Sequence, residues 1–162
     1  MQVADIKYLD ADVAEGGMEQ RKVHMMGKDM MQILKHPFVA VHTPLITSLK
    51  GPGEKMSKSI PGSGIAVTDS YEEIKRIISK AYCPEKIVKE NPILQIARLI
   101  IFPRIETFEI KRPAKFGGNL EIDDYETLES AYAEGKIHPL DLKNAVTEEL
   151  EKIIAPIRKN WK

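Results

Sequence analysis

Residues 51 to 64 read GPGEKMSKSIPGSG, and this stretch limits the fold more than any other. Four glycines and two prolines in fourteen residues exclude a helix or a central strand, because glycine loses the most entropy on ordering and proline withholds a backbone donor. The chain must therefore build its regular structure in two stretches, one before this loop and one after it. On composition alone the segment suits a linker. Its lysines do not, since Lys55 and Lys58 stand three apart around Met56, with hydroxyls at Ser57 and Ser59. Two ammonium groups and two hydroxyls between glycine hinges suit a mobile clamp that closes on a polyphosphate as its charge redistributes. The Gly-Lys-Ser/Thr ending of a Walker-type phosphate loop is absent.

Before the loop the pattern is α/β. After Gly16-Gly17, apolar Val23, Met26, Met30 and Ile33/Leu34 recur at three- and four-residue spacing, with Arg21, Lys22, Lys28, Asp29 and Gln32 between them. That spacing predicts an amphipathic helix. FVAVHT at residues 38–43, stopped by Pro44, predicts a short buried strand, and a helix followed by such a strand is a piece of α/β architecture.

After the loop the pattern is helical. Ser70 and Glu73 form an S-x-x-E capping box ahead of Ile74, Ile77, Ile78, Ala81 and Tyr82. Asn91-Pro92 opens a second helix with Ile93, Ile96, Ala97, Ile100 and Ile101 on its buried face. TFEIKRPAKFGGNLEI alternates weakly around Gly117-Gly118, as a short ribbon or an ordered loop. Helices resume from about Asp124 to Gly135 and from Pro139 onward, where Leu142, Val146, Leu150, Ile153, Ile157 and Trp161 keep one face apolar through Pro156. The expected division is 1–67 and 68–162.

Length and charge narrow the function classes. With 162 residues and 43% hydrophobic content the chain can bury a real core. Its 24 basic and 24 acidic residues cancel, so a polyanion must be met by local patches rather than by bulk attraction. The single cysteine, Cys83, excludes an internal disulfide framework and makes a zinc cluster implausible; His24, His36 and His42 show no metal-ligand spacing. No apolar run reaches membrane-span length and MQVADIKYLDADVAEGG lacks a signal-peptide layout, which predicts a soluble cytoplasmic protein without a membrane partner or a bound protein metal.

Lys55 to Ser59 read KMSKS, which resembles the second signature of class I aminoacyl-tRNA synthetases. An arbitrary exact pentamer arises by chance on the order of once in ten thousand chains of this length. MQVADI, GGMEQRKVHM, KAYCPE, KRPAKFGG and HPLDLKNAV are similar to tyrosyl-tRNA synthetases of the archaeal and eukaryotic cytosolic type, in family order and across essentially the whole chain. The resemblance implies an α/β remnant of a class I synthetase Rossmann-like catalytic domain, residues 1–67 including the KMSKS loop, followed by a mainly α-helical anticodon-binding domain, residues 68–162.

It also implies roles. Gln2 and Asp5 match the polar end of a segment that forms one wall of the tyrosine pocket, and Gln20 holds the amino-acid end of tyrosine. A carboxylate at Asp5 accepting from the substrate phenol would reject phenylalanine by about 10⁴ to 10⁵, because phenylalanine leaves it unpaired. Gly17 and Glu19 meet the ribose of ATP, which arrives as its Mg²⁺ complex, and Lys55, Met56, Ser57, Lys58 and Ser59 complete the ATP site. Lys55 and Lys58 act catalytically on the departing pyrophosphate. Arg21 and Lys22 point to the acceptor stem of tRNA(Tyr). Phe116 stacks on an unpaired anticodon base whose edge His138 and Asp141 read, with Lys111, Arg112 and Lys115 as phosphate contacts. Read without the resemblance, Asp5 is a turn or helix-cap residue, Arg21 and Lys22 a solvated helix face, Phe116 core, His138 a cap before Pro139 and Asp141 a first-turn helix charge.

The resemblance begins mid-domain, at Met1-Gln2. The chain therefore reads as the C-terminal half of such an enzyme, inactive alone, its partners being the N-terminal half, tyrosine and tRNA(Tyr), with a homodimer when intact. Residues 1–67 are then expected to be poorly ordered, self-associated or paired with a complementary polypeptide. A free-standing tRNA-binding or interaction module is the alternative, and the intact KMSKS loop speaks against it.

Overall fold

The computed structural model describes residues 1–57 and 59–161, and at Phe116 the backbone alone. The chain divides into two compact units, Met1–Leu45 and Ile46–Lys162.

The first unit is a β-α-β motif with a helix ahead of it. Helix α1 (Gln2–Tyr8) buries Val3 and Ile6 three residues apart and leaves Gln2 and Asp5 exposed on its other side. Strand β1 (Val13–Gly17) passes through a 3₁₀ turn, Met18–Gln20, into α2 (Arg21–Asp29) and the short α3 (Met31–Leu34), which ends on the left-handed Lys35. Strand β2 (Val39–Thr43) returns parallel to β1, with Val13 opposite Val39 and Gly17 opposite Thr43. Period-two alternation puts Ala14 and Ala40 with Ile6 and Phe38 in a small core, while Val13, Val39 and Val41 remain exposed on the other face. The predicted strand is present but is not buried, since its residues are exposed or half-exposed, and the helix is present although it breaks at Met30.

The apolar stripe of α2 departs from expectation. Its buried positions are His24 and Gly27, whereas Met26, Met30 and Ile33 are exposed. A side chain at 27 explains why: a Cβ there would lie 3.1 Å from the Phe38 ring and 3.2 Å from Val3. The close packing of α1 and Phe38 is possible only on the glycine side of the helix, which turns the methionines outward.

The second unit holds the large core. Helix α4 (Tyr71–Lys80) starts at the predicted capping box, with both reciprocal bonds of Ser70 and Glu73 formed, and buries Ile74 and Ile78 completely. Helix α5 (Pro92–Ile96) is capped by the fully buried Asn91, whose Oδ1 accepts from the Ile93 and Leu94 amides, with Pro92 in its first turn. It continues as a π-helical turn, Ala97–Ile101. The wider turn keeps Ile96, Ala97 and Ile101 inside and leaves Ile100 half-buried. Strands β3 (Phe108–Ile110) and β4 (Leu120–Ile122) pair antiparallel, which settles the weakly alternating segment as a ribbon. Helix α6 (Tyr125–Ala133) is capped by Asp124. Helix α7 (Pro139–Asn160) runs unbroken through Pro156 and buries Leu142, Val146, Leu150 and Ile154, packing on α4 and β3. Ile157 and Trp161, predicted on the same apolar face, are exposed. Ile157 lies in the last turn of α7 and Trp161 just past its end at Asn160.

The units divide at 45/46, upstream of the 67/68 division read from composition. Leu49 accounts for the difference. It is 1% exposed and belongs to the helical core. Its amide donates to the Ser63 carbonyl at 2.9 Å and its carbonyl accepts from the Tyr82 amide at 2.7 Å. The Thr47 amide meets Gln95 Oε1 at 2.7 Å. The glycine-rich loop is thus structurally part of the helical unit. Among the described residues no helix is long and apolar enough to cross a membrane.

Candidate functional site

In the first unit Gly17, Glu19 and Gln20 gather where β1 and β2 end. Gly16 and Gly17 pair with His42 and Thr43 at the carboxyl ends of two parallel strands, the end at which open α/β sheets bind ligands. Gly17 has φ −67°, so its glycine serves approach rather than unusual torsion. A Cβ at 17 would lie 2.2 Å from Glu19 Oε2, so the Glu19 carboxylate folds back over the Gly17 backbone. A Cβ at Gly16 would lie 3.2 Å from Gln20 Cβ and 3.3 Å from His24 Cε1. Gly17, Glu19 and Gln20 therefore form one turn. Arg21 and Lys22 project into solvent from the first turn of α2, while Gln2 and Asp5 share the exposed face of α1.

Beneath that turn lies a pair the sequence spacing did not signal. His24, 1% exposed, presents Nδ1 to His42 Nε2 at 3.0 Å, with Phe38 edge-on to the His24 ring. The two histidines are 18 residues apart and meet only because β2 returns beside β1. One ring donates and the other accepts, which ties the start of α2 to the end of β2. His36 Nε2 donates to the Ala11 carbonyl. Among the described residues no group of three or more histidine, cysteine or acidic side chains is placed to hold a metal ion.

In the second unit Ser63 ties the two ends of the KMSKS loop together. Ser63 Oγ, in a residue with no exposed surface, accepts from the Ser57 amide at 3.0 Å and donates to the Ser57 carbonyl at 2.9 Å. This reciprocal pair closes the loop between residues 57 and 63. The Ser57 and Ser59 hydroxyls lie 2.9 Å apart, and Lys55 is exposed. Met56 rests on Gly64, where a Cβ would meet its Cγ at 3.1 Å, and lines an apolar cavity of about 360 Å³ with Ile46, Leu49, Ile96, Leu150 and Ile154. Lys58 lies outside the described residues.

A second cavity of the helical unit, about 490 Å³, is lined by Arg112, Gly135, Lys136, His138, Leu140 and Asp141. His138 caps α7: Nδ1 accepts from the Leu140 amide at 3.1 Å, so the proton of its neutral ring sits on Nε2, a donor. Asp141 follows in the first turn as an acceptor. Capping and ligand recognition are therefore compatible in these two side chains. Arg112 is fixed by Nε donating to the Gly118 carbonyl at 2.9 Å and Nη1 to the Lys136 carbonyl at 2.8 Å. Lys111 lines a different cavity and pairs with Glu109 at 3.8 Å. Lys115 is exposed, and the side chain of Phe116 lies outside the described set.

Comparison with known proteins places this geometry. The family model described as tRNA synthetases class I (W and Y) matches residues 1–155. The chain belongs to that family. A tyrosine–tRNA ligase of Aeropyrum pernix is 50% identical over 176 aligned residues, covering 98% of this chain and 48% of the relative. The crystal structure of tyrosyl-tRNA synthetase complexed with L-tyrosine from Archaeoglobus fulgidus superposes with a TM-score of 0.87 at 43% identity, over 98% of this chain and 49% of that one. The corresponding complex from Pyrococcus horikoshii gives 0.88 at 40%, over 98% and 50%. The fold is of the class I synthetase type, and the chain spans about half the length of the relatives it matches. Within this family assignment, Ser63 and the His24–His42 pair are the residues that sequence reasoning missed. The first resembles any loop serine, and the second has no local spacing.

Proposed function

We propose that this chain forms part of a tyrosine–tRNA ligase and contributes to both tyrosine activation and tRNA recognition. The observation that carries the reading is the KMSKS loop with its lysine-bearing segment closed by Ser63 onto Ser57, in a chain 50% identical to a tyrosine–tRNA ligase. Residues 1–67 act as the catalytic part and 68–162 as the anticodon-binding part. The substrates are tyrosine and ATP, the latter as its Mg²⁺ complex.

A tyrosine carboxylate oxygen attacks the α-phosphorus of ATP, the bond to the β-phosphate breaks, and pyrophosphate leaves. Gln2, Asp5 and Gln20 orient tyrosine, and Asp5 accepts its phenol proton in a hydrogen bond. Gly17 and Glu19, brought into one turn, receive the ribose. Lys55 and Lys58 stabilise the negative charge that builds on the leaving group, assisted by Met56, Ser57 and Ser59, so that positioning and electrostatics supply most of the rate. The tyrosyl group then passes to the terminal ribose of tRNA(Tyr), releasing AMP. Arg21 and Lys22 meet the acceptor stem. The cavity of Arg112, His138 and Asp141 reads the anticodon, Phe116 stacks on an unpaired base, and Lys111 and Lys115 meet phosphates.

The test is a chimera in which this chain replaces the matching segment of the Aeropyrum pernix relative. Tyrosine-dependent exchange of pyrophosphate into ATP is expected, with phenylalanine rejected. Lys55→Ala should lower kcat by about 10² to 10³ with a smaller change in the tyrosine KM. A folded chimera that binds tyrosine but exchanges no pyrophosphate, or one indifferent to Lys55→Ala, overturns the reading.

A further inference from the structure

The cavity of Arg112, Gly135, Lys136, His138, Leu140 and Asp141 has a neighbour that no sequence feature marks. Lys86, in the loop after α4, has φ +60°, a left-handed torsion that side-chain-bearing residues other than asparagine and aspartate seldom adopt. Gly135, on the cavity wall, has φ +80°. The two turns face each other: a Cβ at 135 would lie 2.4 Å from Lys86 Cε and 3.3 Å from its Nζ. The lysine chain is thus laid across the bare backbone of Gly135, which brings its ammonium next to one wall residue of the cavity.

Charge decides what this arrangement suits. Lys86 is exposed and has no hydrogen-bond or ion-pair partner among the described residues. Arg112 spends its guanidinium contacts on backbone carbonyls and forms no ion pair among the described residues. Lys136, by contrast, pairs with Glu134. Lys86 and Arg112, neither in an ion pair among the described residues, therefore stand by a cavity that holds one carboxylate, and its His138 and Asp141 offer one donor and one acceptor suited to a base edge. Cations by the cavity and a hydrogen-bonding pair on its wall match the alternation of phosphate and base along an unpaired RNA strand.

We propose that Lys86 is an RNA-backbone contact of this cavity, its ammonium held over Gly135 to meet a phosphodiester oxygen of the strand whose base is read by His138 and Asp141. The proposal rests on the anticodon reading given above. Gly135 suits the turn by its left-handed φ of +80°, and its bare backbone leaves room for the Lys86 chain.

The experiment measures binding of the tRNA(Tyr) anticodon stem-loop to the whole chain by fluorescence anisotropy, from about 50 to about 300 mM KCl. Lys86→Met keeps the aliphatic packing over Gly135 and removes the charge. It is expected to weaken binding about fivefold at low salt and to reduce the slope of log K against log[salt] by about 0.7, the share of one phosphate on a single strand. Lys86→Arg is expected to retain the slope. Lys89→Met, which removes a neighbouring exposed cation, is expected to stay within about twofold of the parent. An unchanged slope for Lys86→Met, alongside a clear loss on His138→Ala, overturns this inference and leaves the anticodon reading standing. A loss on Lys89→Met equal to that on Lys86→Met overturns it too, since the effect is then diffuse charge. Binding absent, or indifferent to His138→Ala, overturns the anticodon reading and this inference with it.

Discussion

At the scale of single residues, the KMSKS loop owes its shape to a serine outside the motif. Ser63 Oγ satisfies both the amide and the carbonyl of Ser57, and its own carbonyl receives the Leu49 amide. Removing the hydroxyl leaves the Ser57 amide without its partner, while the Ser57 carbonyl keeps the Ile60 amide at 2.9 Å, at a cost of about 1–2 kcal/mol. Ser63→Ala is therefore expected to speed hydrogen exchange at the Ser57 amide by at least about tenfold, while amides of Ile74 and Ile78 in α4 exchange as before. Equal protection of Ser57 in parent and variant would show that the loop is held by something else. The same logic separates Ser63 from Ser57 and Ser59, whose hydroxyls pair with each other and remain available to a ligand.

At the scale of elements, the helix starts are the most local feature of the chain and were read directly from it. Ser70 with Glu73, Asn91 with Pro92, and Asp124 each cap the helix that follows, because a side-chain acceptor needs only the amides two or three residues ahead. Two of these caps carry a pH dependence. The Glu73 carboxyl is held below its ordinary range by the Ser70 backbone amide and then by the Ser70 hydroxyl, and Asp124 is lowered in the same way by the amide and hydroxyl of Thr127. A carboxyl lowered in the folded state contributes stability that is complete above its unfolded pKa and is lost as pH falls through the folded one. Circular dichroism during urea unfolding at stepped pH should therefore show stability falling from about pH 5 downward. The double variant Glu73→Gln, Asp124→Asn keeps acceptors at both caps and should fall less steeply over that window. An identical acid profile would assign the loss to other carboxylates. The ribbon was harder to read, because three-residue strands such as β3 and β4 give too few alternations to tell from a loop.

At the scale of the whole molecule, the division between the two units is the least legible feature. Composition changes after the glycine-rich loop, yet the loop and the segment before it belong with the helices, because Ile46, Leu49 and Ile65 contribute to their core. Leu49→Ala should cost about 3 kcal/mol, the range for emptying a fully buried leucine site. It follows that a fragment of residues 46–162 should unfold at higher urea than one of residues 68–162, which lacks Leu49 altogether. Matching midpoints for the two fragments would place the stabilising boundary at 67/68 instead. The stripe of α2 belongs to this scale as well: its methionines have the spacing of a buried face, but the side that packs on α1 and Phe38 is the one with Gly27.

The sequence by itself determined what depends on neighbours within about one helical turn: the caps, the amphipathic stretches of α4 and α7, the β2 strand, and a KMSKS signature whose resemblance to class I synthetases is matched by the family model over residues 1–155. Only the tertiary structure decided what depends on residues far apart in sequence. It set the parallel register that brings His24 to His42, and the closure of Ser63 onto Ser57. It also joined Leu49 to the helical core, gathered Arg112, His138 and Asp141 around one cavity, and laid Lys86 over Gly135. The reason is physical. Capping and periodicity are set by bonds and rotations a few residues long, whereas packing selects among faces and loops by the space that other elements leave, and a linear pattern does not record that space.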